Sequence, residues 1–171
     1  MSHRSRSSKA KMALERLLHT IEAENASLAA RLRSFFDKAE AQGLVLVPPE
    51  RPETCSIMLK SGPEEDALNF GWFGYCGRNG QPFFRNYGIA KTKEGALCPR
   101  GADYLHKLAD LFHADVYPSP KDPFEMTVKR RTNQGWVYVS IDEVLIAQDK
   151  WVALIQNTRA RFSAQIIKAD L

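Results

Sequence analysis

Apolar residues recur every three or four positions from residue 9 to residue 42, which predicts one long helix over residues 9–43. Ser7 or Ser8 can cap its start, since a serine hydroxyl accepts from the free N–H groups of a first turn. Gly43 can close it in the left-handed conformation, and Pro48-Pro49 block a restart. Such a helix would be roughly 50 Å long at 1.5 Å per residue. The rest of the chain would form a globule about 35 Å across, so the rod would overhang it. Leu14, Leu18, Ile21, Asn25, Leu28, Leu32, Phe35 and Ala39 alternate at spacings of four and three along one stripe. That is the seam of a coiled coil, and Asn25 is the residue type that sets register in a parallel dimer. Leu18, Ile21, Asn25, Leu28, Leu32 and Phe35 are therefore candidates for a homodimer helix. Leu17, Ala29 and Phe36 widen the stripe beyond a two-stranded seam, which suits packing within one chain.

Beyond the proline-rich link (Pro48, Pro49, Pro52) the pattern shortens. Residues 55–60 predict a strand, closed by Ser61-Gly62-Pro63, and Glu64-Glu65-Asp66 a solvated loop. Residues 68–76 and 82–89 predict two strands joined through Asn79-Gly80, both of which tolerate positive φ. A helix is expected from Pro99 to about residue 112, with Ala102, Leu105, Leu108, Ala109 and Phe112 as its apolar face. Residues 124–130 and 135–141 predict a second hairpin. Ser140 and Glu143 have the spacing of a capping box, opening a last helix that runs to about residue 167. The expected fold is α+β with element order αβββαββα. Its antiparallel sheet would have about five strands, with the long N-terminal and C-terminal helices packed on it. Residues 1–8 are expected as a disordered basic arm, and 44–171 as a body forming a single globular domain with the helix. This order is similar to that of the small dimeric chaperones of type III secretion. The likeness implies a sheet that holds a partner segment, and it carries over no binding residue. Those chaperones are acidic, whereas this body is neutral.

Charge changes the picture because of where it lies. The formal net charge is +4. Arg4, Arg6, Lys9 and Lys11 account for all of it, with no acid among residues 1–11. The remaining 20 Lys and Arg are balanced by 20 Asp and Glu. These four cations are candidate contacts for nucleic acid or another polyanion. No apolar run approaches the roughly 20 residues of a membrane span. The first residues lack the apolar core of a secretory signal. Three cysteines (Cys55, Cys76, Cys98) form no C-x-x-C pair, and a reduced cytoplasmic location is expected.

Candidate chemistry is sparse. Phe70, Trp72, Phe73 and Tyr75 sit in an aromatic, glycine-punctuated strand, followed by Phe83, Phe84 and Tyr87. With Arg78, Arg85, Lys91 and Lys93 nearby, such rings can stack unpaired bases, and Phe70, Trp72 and Arg85 are the candidates for that or for a partner surface. The same rings can equally form ordinary core and cross-strand pairs. Cys98 precedes Pro99 and Arg100 at a helix start, where a thiol can become nucleophilic. Asp103, His106, Asp110 and His113 share one helical face, which is the spacing of a metal pair or of a plain solvated face. No phosphate loop, H-E-x-x-H pair or G-x-S-x-G elbow is present. No metal or other cofactor is expected. The sequence thus points to a non-catalytic cytoplasmic binding or accessory protein, contacting nucleic acid or another polyanion through its basic arm. The alternatives are a chaperone or adaptor for a protein partner and, less favoured, a small enzyme using Cys98 or the Asp103/His106/Asp110 face.

Overall fold

The structure, a computed structural model, describes residues 3–49, 55–62, 67–76, 81–86, 89–92 and 94–169, with the side chains of 3–7, 76 and 162–169 excepted. The long helix expected over residues 9–43 is two helices, α1 (His3–Glu22) and α2 (Ala26–Ala41). Asn25 makes the break. Its backbone leaves the helical region, and its side-chain oxygen accepts from the Leu28 N–H at 2.9 Å, so it caps α2. The chain folds back there, and Arg33 on α2 grips Glu15 on α1 through two bonds of 2.6 and 2.8 Å. Gly43 ends α2 at φ 78, as expected of a left-handed cap.

The described residues form two units: residues 1–85 with 140–146, and residues 86–139 with 147–171. Each has its own antiparallel sheet, in place of the one sheet of about five strands expected. The observed order, ααββββαβββαα, also differs from αβββαββα, and the likeness in order to secretion chaperones goes with it.

In the first unit α1 and α2 lie on a meander of β1 (Val45–Val47), β2 (Ser56–Lys60), β3 (Asn69–Cys76) and β4 (Gln81–Arg85). Ile57, Phe73 and Phe84 stand opposite one another across β2, β3 and β4, so they share one face. The helices cover that face. Phe36 meets Phe73 edge-on at 5.0 Å between centroids, and Phe73 lies 5.1 Å from Phe84. Burying each such ring contributes about 1.5–3 kcal/mol. Gly71 and Gly74 make room for rings across the strand: a Cβ would stand 2.5 Å from Phe84 and 2.4 Å from Phe83 respectively. A short helix, α4 (Ile141–Ile146), completes the unit through Ile141, Val144 and Leu145, and Arg31 on α2 pairs with Asp142 at 2.7 Å. The predicted capping box forms, with the Ser140 N–H donating to Glu143 at 3.0 Å and the Glu143 N–H to the Ser140 hydroxyl at 3.3 Å.

The second unit is built on α3 (Pro99–Leu111). One side of α3 meets the sheet of β5 (Asp115–Pro118), β6 (Met126–Thr132) and β7 (Gly135–Tyr138), and α3 also packs with α5 (Gln148–Ala169). The single last helix expected to follow residue 140 is therefore α4 and α5, parted at Ala147. Buried Tyr104 on α3 accepts the Trp151 indole N–H from α5 at 2.8 Å, and burial pushes its phenol well above the ordinary tyrosine range. Gly101 lets α3 approach the preceding segment, since a Cβ there would lie 1.7 Å from the Ile89 carbonyl oxygen. Asn86 accepts from the Val128 N–H at 3.1 Å and the Thr127 hydroxyl at 3.3 Å, tying the start of the unit to β6. Among the described residues no helix is long and apolar enough to cross a membrane.

Candidate nucleic-acid interface

The four cations of the basic arm fall within α1, which begins at His3 and has no acid in its first turn. The side chains of Arg4 and Arg6 lie outside the described residues, whereas Lys9 and Lys11 are exposed. Neither lysine forms an ion pair among the described residues. Glu15, one turn beyond Lys11, is held by Arg33, whose guanidinium keeps its carboxyl below the ordinary range.

The residues predicted as a dimer seam are spent inside the chain. Leu18, Ile21, Leu28, Leu32 and Phe35 are all buried, and Asn25 caps α2 instead of marking register. The stripe packs on itself and on the sheet within the chain. The aromatic surface predicted around β3 divides in the same way. Phe70 is fully buried and belongs to the core. Trp72 and Arg85 stand opposite each other on the other face of the sheet, half-buried, and Arg85 also lies 4.5 Å from the Phe83 ring centroid. Phe70 is thus separated from Trp72 and Arg85 in the role given to all three. The Asn79-Gly80 turn, Arg78, Tyr87 and Lys93 lie outside the described residues.

Cys98 occupies the N-cap of α3, half-buried and making no side-chain cap bond. Arg100, two residues on, donates to the Arg161 carbonyl at 3.0 Å. On the predicted metal face Asp103 is taken by Lys107 at 2.7 Å and Arg161 at 3.3 Å, while His106 and Asp110 are exposed. Among the described residues no group of three or more His, Cys, Asp or Glu is placed to hold a metal ion. His113 closes α3 at φ 49, and Arg130 donates to the Phe112 carbonyl at 2.7 Å, so this helix end is satisfied structurally.

A different surface brings rings and cations together. In the β5–β6–β7 sheet Lys129 stands opposite Asp115 and Tyr138, Arg131 opposite Trp136, and Tyr117 opposite Thr127. Cross-strand partners share a face, and so do alternate residues of one strand. Tyr117, Lys129, Arg131, Trp136 and Tyr138 therefore point the same way. The opposite face carries Val116, Val128, Arg130 and the exposed Val137, and α3 packs against it at β5 and β6. Tyr117 and Trp136 meet at 5.0 Å between centroids with a 50° tilt. The Lys129 ammonium lies 4.4 Å from the Tyr117 centroid and 4.7 Å from that of Tyr138, so the rings hold a cation among them. Trp136 is 40% exposed and Arg131 is exposed. Sequence reasoning missed this face because the predicted hairpin ended its first strand at residue 130 and omitted β5. The signal was the alternation of Thr127, Lys129 and Arg131, mirrored by Trp136 and Tyr138.

No protein-family model, curated protein or solved structure matches the chain. Its function has to be read from these side chains.

Proposed function

We propose that the protein is a non-catalytic accessory protein of the cytoplasm that binds nucleic acid, with Arg4, Arg6, Lys9 and Lys11 as its phosphate contacts. The observation that carries this reading is the positive start of α1, which has no acid in its first turn or elsewhere among residues 1–11. A helix N-terminus already bears partial positive charge, and a cation there costs about 0.3–1 kcal/mol. Helix stability therefore gives no reason to place four cations and no acid in residues 1–11. A bound polyanion does, because phosphate oxygens are favoured both by the cations and by the helix dipole. The exposed Lys9 and Lys11 support this, since no carboxylate among the described residues neutralises them.

The test replaces all four by glutamine, which keeps helix propensity and removes the charge. Fluorescence anisotropy with labelled single-stranded and duplex oligonucleotides should then show at least tenfold weaker binding of both at low salt, because phosphate contacts do not read sequence or strandedness. Affinity equal to that of the native chain would sink the proposal.

A further inference from the structure

We infer that the face formed by Tyr117, Lys129, Arg131, Trp136 and Tyr138 is a site for an unpaired nucleic-acid strand, with Trp136 and Tyr117 as base-stacking platforms and Lys129 and Arg131 as phosphate contacts. The inference rests on the reading that the protein binds nucleic acid, but it assigns a second surface on other observations. Three features select this ligand. The rings lie on the sheet face opposite the one that α3 packs against at β5 and β6, and this face displays Trp136. Cations stand between and beside the rings: Lys129 over Tyr117 and Tyr138, and Arg131 opposite Trp136. A ligand that satisfies both must offer flat apolar surfaces joined by negative charge, which is the chemistry of a single strand. The one acid in register, Asp115, faces Lys129 from β5, at the edge of the sheet away from Trp136.

Strandedness follows from access. In a duplex both faces of a base are covered by its neighbours, and a ring platform has nothing to stack on. A duplex could use only Lys129 and Arg131, so the rings contribute to single strands alone. Three strands at about 4.8 Å spacing span roughly 10 Å. That is room for two or three nucleotides, and every base has a face to stack, so recognition is sequence-tolerant. β7 is an outer strand of its sheet, and Trp136 on it is 40% exposed.

The experiment uses the full chain with labelled oligothymidine and a labelled duplex of equal length, read by fluorescence anisotropy. Trp136→Ala should weaken single-strand binding by roughly 5- to 150-fold, the range for one lost stack. Duplex affinity and the salt dependence should be unchanged, because the indole carries no charge. Trp136→Phe keeps a ring and should stay near native, while Tyr117→Ala should reproduce the loss. Single-strand affinity unaltered in both alanine variants would overturn the site, as would Trp136→Phe falling as far as Trp136→Ala. The two proposals fail separately. If the four-glutamine variant abolishes binding of both ligands while Trp136→Ala binds normally, the arm is the contact and this site is wrong. If the reverse holds, the site stands and the arm reading falls.

Discussion

At Gly101 the backbone of α3 runs so close to the Ile89 carbonyl that a Cβ would stand 1.7 Å from its oxygen and 2.9 Å from the Ala90 Cα. Alanine is ordinarily the better helix residue by about 1 kcal/mol. Here backbone would have to move, so Gly101→Ala should destabilise by about 1–3 kcal/mol in denaturant titration, reversing the usual sign. The Tyr104–Trp151 pair gives a second prediction. Tyr104→Phe leaves the Trp151 indole N–H without its acceptor in a buried site, and the expected loss is about 1–3 kcal/mol. The phenol is neutral in the fold and pushed above its ordinary value by burial, so its contribution is complete below pH 10 and falls as pH rises beyond it. Tyr104→Phe should accordingly flatten the alkaline side of the stability profile.

Between α1 and α2 a single cap determines the arrangement. Asn25→Ala removes the acceptor for the Leu28 N–H and should cost about 1 kcal/mol, whereas Asn25→Asp should retain most of it. The Glu15–Arg33 clasp across the same hairpin adds a pH signature. Glu15 titrates below its ordinary value in the fold because Arg33 bonds its charged form. The unfolded chain therefore binds more protons in acid, and the stability from this group is present above the unfolded carboxyl pKa and lost as pH falls through the folded one. Arg33→Ala should return the Glu15 titration, followed by carboxyl NMR, to the ordinary range. The apolar period of residues 9–42 was legible, but the bend was not. Asn25 satisfies a coiled-coil slot and an N-cap equally well, and only tertiary burial decides between them. The three residues of β1 and four of β5 are too short to display alternation, so the partition into two sheets was hidden as well. Local chemistry was readable where the ligands of a backbone group sit nearby, as in the Ser140–Glu143 box and the Gly43 cap.

For the whole chain, charge and aromatic residues lead to different surfaces. The charge excess of residues 1–11 was legible because charge is additive along a sequence. The ring-and-cation face was not, because it depends on register: Lys129 and Arg131 meet Tyr138 and Trp136 only when β6 continues to Thr132 and turns through Asn133-Gln134. Phe70 was misleading for the same reason: plain alternation puts it on the face of Trp72, but the register with β2 shifts between Leu59 and Lys60, opposite Phe70, and its ring is fully buried. If phosphate contacts at the start of α1 carry the binding, the salt slope of single-strand affinity reports them. Each contact on a single strand contributes about 0.7 to the slope of log K against log salt. Replacing Arg4, Arg6, Lys9 and Lys11 by glutamine should lower that slope by about 3. An unchanged slope, or a native chain that binds no strand at low salt, would rule out phosphate binding at the start of α1.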